Sequence, residues 1–174
     1  PLSALSRGDA FILTRSDPDV CFSSHPSFPG PVFRSFHIPY ICKVIKRKKS
    51  ENRIFSNKPE TVSYDVEQLK GQKAFAFSGI AGNQDFRRTI ETLGCEIAGF
   101  ADFSDHHQYS DADIHNISDS AKRVNADILM TTEKDDVRIA HHTAWPLDLF
   151  VVGIKTSFGD EEDAFRDFVR RRLG

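Results

Sequence analysis

Residues 73–83 read Lys-Ala-Phe-Ala-Phe-Ser-Gly-Ile-Ala-Gly-Asn, and their order decides the fold. After Lys73 the run Ala74-Phe75-Ala76-Phe77 is continuously apolar, as a strand covered on both faces requires. Ser78 to Asn83 is a glycine-bearing turn. Behind it Phe86, Ile90 and Leu93 fall at i, i+4 and i+7, one face of a helix, and Gly94 stands where a helix C-terminal glycine belongs. Residues 95–101 then read as a second strand. The pattern repeats downstream. Ser110 suits a helix cap, with Asp111 and Asp113 at the positive end of the dipole, and Ile114, Ile117, Ala121 and Val124 mark the buried stripe. Residues 126–131 and 149–154 are further strands. A last helix over 161–171 starts acidic, ends basic and carries Ala164, Phe165, Phe168 and Val169 on its apolar face. Strands alternating with helices predict an α/β fold, a mainly parallel sheet with helices on both faces.

Upstream the signal is weaker. Residues 10–14, 32–38 and 41–45 read as short strands, separated by a segment holding Pro18, Pro26, Pro29 and Pro31 that excludes a helix. A basic run follows: Lys43, Lys46, Arg47, Lys48, Lys49 and Arg53. It is either a solvated loop or a contact with phosphate or an anionic membrane surface. The expected division is a partial segment over 1–60, with short strands, the proline-rich loop and the basic run, followed by an α/β lobe over 61–174.

The 174 residues suffice for one compact domain, and most of the 15 Phe are expected in its core. A formal net charge of -2 argues against a dedicated nucleic-acid binder. Cys21, Cys42 and Cys95 form no close motif and no disulfide framework, so reduced thiols of a cytoplasmic protein are expected. No apolar run approaches the ~20 residues that span a bilayer. An opening at Pro1-Leu2, without a start methionine, reads as a piece of a longer chain.

Three polar clusters follow three of the predicted strands: Ser78-Gly79-Ile80-Ala81-Gly82-Asn83, Ser104-Asp105-His106-His107, and Thr131-Thr132-Glu133-Lys134-Asp135-Asp136. If the strands are parallel, these loops share one edge of the sheet, where open α/β folds bind ligands. The turn holding Gly79 and Gly82 offers backbone N–H groups to an anion, or is simply a tight strand-to-helix turn; it is neither a Walker A loop nor a dinucleotide fingerprint. In Asp105-His106-His107, an imidazole works with a carboxylate on a hydroxyl proton, or the three bind a metal as in an Asp-His-His phosphoesterase, or a histidine closes a turn. In Thr132-Glu133-Lys134-Asp135, the amine neutralises phosphate while the acids orient it or a cation, or an ion pair closes the strand end.

Taken together the pieces resemble one family. Pro1-Leu2-Ser3-Ala4-Leu5 with Asp9-Ala10, Ala76-Phe77-Ser78-Gly79-Ile80-Ala81, Asn83 with Phe86, Leu93-Gly94, Phe103-Ser104-Asp105-His106-His107-Gln108-Tyr109 and Thr131 to Arg138 are similar, in order and spacing, to the C-terminal half of the tetraacyldisaccharide 4'-kinases of lipid A biosynthesis. The resemblance covers nearly the whole chain. It implies a P-loop-NTPase-like lobe lacking its Walker A segment. The intact enzyme would transfer the ATP γ-phosphate, with Mg²⁺, to the 4'-hydroxyl of a tetraacylated glucosamine disaccharide 1-phosphate. It would sit peripherally on the cytoplasmic face of the bacterial inner membrane.

The family's Asp-His motif falls on Asp105 and His106. The resemblance thus makes His106 the catalytic histidine, supporting an aspartate of the other lobe that deprotonates the sugar hydroxyl. Ser78, Gly79, Gly82, Asn83, His107 and Thr132 to Asp135 become substrate- or phosphate-proximal positions. The chain departs from the family at Ala81-Gly82-Asn83-Gln84, where members usually have Asn-Pro soon after the Gly-Ile pair. The P-loop lobe, the catalytic aspartate and the cation-binding acids of the family precede Pro1. Neither ATP nor a metal is therefore expected on this segment alone, nor turnover by it. The alternatives are a non-catalytic α/β binding module acting through residues 43–53, or a metal-dependent phosphoesterase using Asp105, His106 and His107.

Overall fold

A computed structural model describes residues 7–15, 30–47, 66–139 and 144–174. In chain order its elements are β1 (Phe11–Leu13), β2 (Val32–Arg34), β3 (Phe36–Ile45), β4 (Lys73–Ser78), α1 (Asn83–Thr92), β5 (Glu96–Asp102), α2 (Asp111–Arg123), β6 (Ile128–Thr132), α3 (Glu133–Arg138), β7 (Leu149–Ser157) and α4 (Glu162–Leu173). They fall into two compact units, Pro39–Gly153 and Pro1–Ile38 with Ile154–Gly174. The division expected near residue 60, most of the proline-rich loop, and Lys48, Lys49 and Arg53 lie outside the described residues.

The larger unit is built on a five-stranded sheet in the order β3-β7-β6-β4-β5. β4 pairs in parallel with both β5 and β6, and β6 pairs in parallel with β7. Alternation along β4 assigns the two faces. Ala74 and Ala76 point to the side where Phe86, Ile90 and Leu93 from α1 and the residues after it pack. Phe75 and Phe77 point to the other side, against Ile117 and Ala121 of α2 together with Tyr109, Ile139 and Trp145. Small residues on one face and large ones on the other let α1 approach closely. Helices thus cover both faces, as the sequence predicts.

Local signals account for the helix ends. Ser110 caps α2 through a reciprocal box: its hydroxyl accepts from the Asp113 N–H at 3.3 Å, while the Asp113 carboxylate accepts from the Ser110 N–H at 2.9 Å. Gly94 takes φ 82° just beyond α1. Val124, expected in the buried stripe of α2, is 36% exposed, because the helix ends one residue earlier.

Connections fix where a site can form. β4 leads into α1 on one face, and β5 leads into α2 on the other, returning to β6 on the far side of β4. The chain leaving β6 also turns to the α2 face, where Ile139 is buried. Between the carboxyl ends of β4 and β6, neighbouring strands therefore send their chains to opposite faces. This is the switch point at which open α/β sheets form a crevice.

In the smaller unit β1 and β2 pair in parallel, and the Ser35 N–H continues the ladder to the Leu13 carbonyl at 2.8 Å. The single strand expected over 32–38 is two strands, because the chain changes partner at buried Ser35: β2 pairs with β1, and β3 neighbours β7. Phe33 is buried against Phe165 and Phe168 of α4, with ring centroids 5.2 and 5.6 Å away. Among the described residues no helix is long and apolar enough to cross a membrane.

Gly94→Ala tests the turn after α1. An added Cβ would stand 2.8 Å from the Lys70 Cγ, at a φ that L-residues avoid. We expect a loss of about 1–2 kcal/mol from the backbone conformation alone, read as a lower urea midpoint with an unchanged slope.

Candidate functional site

The loops after β4, β5 and β6 meet at the switch point, and the group that joins them is the carboxylate of Asp135. It is fully buried. Its Oδ1 accepts from the Gly79 N–H at 3.1 Å and from the Arg138 Nη1 at 3.2 Å. Its Oδ2 accepts from the Thr132 hydroxyl at 2.6 Å. Thr132 caps α3 in return, accepting from the Asp135 N–H at 3.2 Å. A buried carboxylate is tolerated only when its lone pairs are met in this way. The sequence pattern offers the Gly79 turn to an external anion; in the structure the anion that its N–H meets is the chain's own. Gly79 also has no room for a side chain, since a Cβ would lie 2.9 Å from the Ser104 carbonyl and 3.0 Å from the His107 Cβ. Ser78 is buried and donates to the Asn83 Oδ1 at 2.6 Å, and Gly82 is the N-cap of α1, so these residues shape the turn.

The two adjacent histidines have opposite environments. The His107 ring stacks on Phe103 at 4.6 Å and meets Tyr109 edge-on at 5.1 Å. Its Nε2 donates to the Asp113 carboxylate at 3.0 Å, tying the β5 loop to the cap of α2. Hydrogen bonds from the Ser110 backbone and hydroxyl, and then from His107, hold the Asp113 carboxyl below its ordinary pKa. Tyr109 is buried in the same cluster, and desolvation followed by the Asp135 carboxylate pushes its phenol well above the usual range.

The His106 side chain, by contrast, is 80% exposed. Its backbone sits at φ 62°, in the left-handed region, at a cost of about 1–3 kcal/mol. The His106 N–H donates to the Gly79 carbonyl at 3.1 Å, and its Nδ1 lies 3.1 Å from the Arg138 Nη2. The Asp105 Oδ2 is 3.7 Å from the Nε2. Arg138 also donates to the Gly79 carbonyl, at 3.2 Å. One guanidinium therefore touches all three loops.

Glu133 and Lys134 occupy the exposed first turn of α3 beside buried Asp135. Residues of the basic run are engaged within the unit: Lys43 pairs with Asp136 at 3.0 Å, Lys46 pairs with Asp148 at 2.9 Å, and the Arg47 N–H donates to Asp148 at 2.9 Å. Cys42 and Cys95 are free thiols. Burial, and then the Glu133 carboxylate, pushes Cys42 up to about 11, and burial alone does the same to Cys95. Neither is a ready nucleophile.

His106 and His107 face different partners, so Asp105, His106 and His107 do not converge on one point. Among the described residues no group of three His, Cys, Asp or Glu side chains is placed to hold a metal ion. The sequence contains no Gly-Lys-Ser/Thr phosphate loop, and the N–H of its Gly79 turn is taken by Asp135. These residues do not fit the triphosphate of a nucleotide. The site residue that sequence reasoning missed is Arg138. Its signal was the spacing Asp135 to Arg138, an i,i+3 ion pair on a helix capped by Thr132.

Fold and site together define a doubly wound α/β protein with its polar centre beyond the carboxyl ends of the strands. Residues 1–174 match the family model Tetraacyldisaccharide-1-P 4'-kinase over their full length, and the chain belongs to that family. It is 34% identical over 174 residues to a tetraacyldisaccharide 4'-kinase of Desulfatibacillum aliphaticivorans, covering 99% of this chain and 45% of that protein. A kinase of the same name from Syntrophotalea carbinolica is 34% identical over 158 residues, covering 91% of this chain and 39% of the relative. The chain thus spans less than half the length of these relatives. Among solved structures, the "apo" form of LpxK from Aquifex aeolicus in complex with ATP superposes with a TM-score of 0.58 at 22% identity. The match covers 98% of this chain and 44% of that one, and it shows the shared fold.

Two measurements probe the site's construction. Asp135→Asn removes the charge that compensates Arg138, and a broken buried pair typically costs about 3–5 kcal/mol. Chemical denaturation should show a loss of that order. Because the folded-state pKa of Asp113 is lowered, its stabilisation is present above the ordinary carboxylate value of ~3.9 and is lost as pH falls through the folded value. Asp113→Asn should therefore flatten the acid limb of the stability profile below about pH 4. An unchanged limb would remove Asp113 from it.

Proposed function

We propose that the chain supplies the C-terminal part of an ATP-dependent kinase acting on the 4'-hydroxyl of a tetraacyl glucosamine disaccharide 1-phosphate. The observation that carries this reading is the placement of His106. Its imidazole is exposed at the strand-end edge, on a left-handed backbone position, with one nitrogen already engaged by Arg138. Family membership supplies the reaction class. An exposed imidazole in contact with Arg138 beside the switch point supports a role in steering the acceptor's proton.

On this reading the labour is divided. Phosphoryl transfer depends on positioning and on neutralising charge over the transferred group. ATP and Mg²⁺ supply the phosphoryl donor and its counter-charge, and the residues that would cradle them belong to a P-loop lobe N-terminal to this segment. This chain contributes the acceptor side. His106 stands at the reacting hydroxyl and supports a carboxylate of the other lobe, with Asp105 beside it. Lys134 and Glu133, exposed next to Asp135, line the rim that the lipid-linked disaccharide or the nucleotide reaches. His107, Ser78, Gly79, Gly82, Asn83, Thr132 and Asp135 act on the site by holding its loops. The intact protein works peripherally on the cytoplasmic face of the inner membrane. The Lys43 and Lys46 side chains are already paired with Asp136 and Asp148, which disfavours the alternative of a binding module that acts through these two lysines.

His106→Ala in the intact enzyme should lower kcat by about 10²–10⁴-fold, the usual worth of assisted proton transfer, with little change in stability. Wild-type kcat in the variant would remove His106 from the chemistry. The isolated segment, supplied with ATP, Mg²⁺ and lipid acceptor, should show no phosphotransfer above background; turnover would refute the division of labour.

A further inference from the structure

The contact between Arg138 and His106 carries chemical information beyond proximity. A guanidinium has donors only, so a hydrogen bond from its Nη2 requires an acceptor. At 3.1 Å the atom facing it is the Nδ1 of His106, which must therefore present its lone pair. The proton of the neutral ring is then on Nε2. The backbone that carries the ring is pinned by the His106 N–H bond to the Gly79 carbonyl, and the contact with Arg138 is what orients the ring itself. Arg138 is equally constrained. Its Nη1 donates to the Gly79 carbonyl at 3.2 Å and to the buried Asp135 carboxylate at 3.2 Å, and its side chain is only 16% exposed.

We propose that Arg138 is the positioning residue that sets the tautomer of His106, holding Nδ1 as an acceptor so that the exposed Nε2 acts as an N–H donor. This inference rests on the role given to His106 above and deepens it. In this state His106 cannot take the sugar hydroxyl's proton at Nε2, which already carries one. Nor can it do so at Nδ1, which faces a cation. The group that His106 can serve is a carboxylate, to which Nε2–H donates, orienting it toward the hydroxyl. Asp105, with its Oδ2 3.7 Å from Nε2, stands near the position such a carboxylate would take. Proton abstraction then falls to the oriented carboxylate, and the imidazole fixes that carboxylate's direction.

Nitrogen-15 NMR of the intact enzyme labelled in histidine tests this without any turnover. At a pH roughly two units above the ordinary imidazole value of ~6.5, His106 should show one tautomer, with Nδ1 unprotonated and Nε2 protonated. A protonated Nδ1 in the unmodified enzyme overturns the proposal. Arg138→Lys keeps a cation for Asp135 and the Gly79 carbonyl but loses the fork that reaches His106 as well. In this variant the His106 signals should move toward a mixture of tautomers. Its kcat should fall about 10- to 100-fold, the worth of one charge-assisted hydrogen bond, with KM for ATP and for lipid acceptor unchanged.

A folded Arg138→Lys enzyme with wild-type kcat and a single tautomer would overturn the assignment. In a double-mutant cycle, Arg138→Lys should cost nothing further on a His106→Ala background. An undiminished second loss would mean that Arg138 acts only by supporting Asp135, which also overturns it. The two readings fail separately. Unchanged kcat in His106→Ala removes the catalytic role, while the tautomer in the unmodified enzyme judges Arg138 by itself, even if Arg138→Lys does not fold.

Discussion

The candidate site depends on one buried carboxylate. Desolvating an ionised side chain costs several kcal/mol even after relaxation, so Asp135 is tolerable only with its donors in place. Those donors include the Gly79 N–H at the end of β4, and Thr132 and Arg138 around the end of β6. The parallel pairing of Ala74, Phe75 and Ala76 with Ile128, Leu129 and Met130 sets the offset that lets the two strand ends meet there. The tight fit at Gly79 completes it, because a side chain would push away the Ser104 carbonyl and His107 from the β5 loop. Contacts through Asp135 and Arg138 join the three loops into a single platform. Arg138 links the charge of Asp135 below to the imidazole of His106 above.

What the sequence shows and what it hides follow from the range of the interactions involved. The strand at 73–78 and the helices at 83–92 and 111–123 are legible because burial imposes a period on their apolar residues. The cap at Ser110 and the turn at Gly94 are legible because both act within four residues. α3 is harder. Its six residues contain one apolar side chain, Val137, which is 75% exposed, so no period exists to read. Thr132, Glu133, Lys134 and Asp135 then read as a cluster facing phosphate or a cation, although a capping Thr, an acidic first turn and a basic last residue, Arg138, also describe a short helix. Part of the basic run has partners that no local pattern announces. The acids that engage Lys43 and Lys46 are 93 and 102 residues away in the chain.

Asp105, His106 and His107 show why adjacent letters do not make a site. Successive side chains in an irregular loop diverge, and here the divergence is enforced from both ends. His107 is drawn inward by stacking on Phe103 and by the Asp113 carboxylate. His106 is turned outward by its positive φ and caught by Arg138. The inner imidazole fastens the β5 loop to α2, and the outer one is left with a free edge. A metal shared by both rings would require undoing at least one set of these contacts, so packing disfavours the shared-metal reading.

The same packing explains why this chain need not resemble a nucleotide site. In open α/β folds the switch-point crevice is the natural place for a phosphate, because strand-end N–H groups converge there. In this chain Asp135 already occupies that position and pairs with the Gly79 N–H. A second anion placed there would face a buried carboxylate at close range and lose the donor it needs. The Gly79 N–H in this crevice is therefore already taken by the chain's own carboxylate. On the proposed division of labour this has a benefit. Transition-state charge on the phosphoryl group is handled by the other lobe, and the acceptor side needs rigid orientation of one imidazole. A buried carboxylate paired with a largely buried guanidinium supplies that better than an open, solvated pocket would.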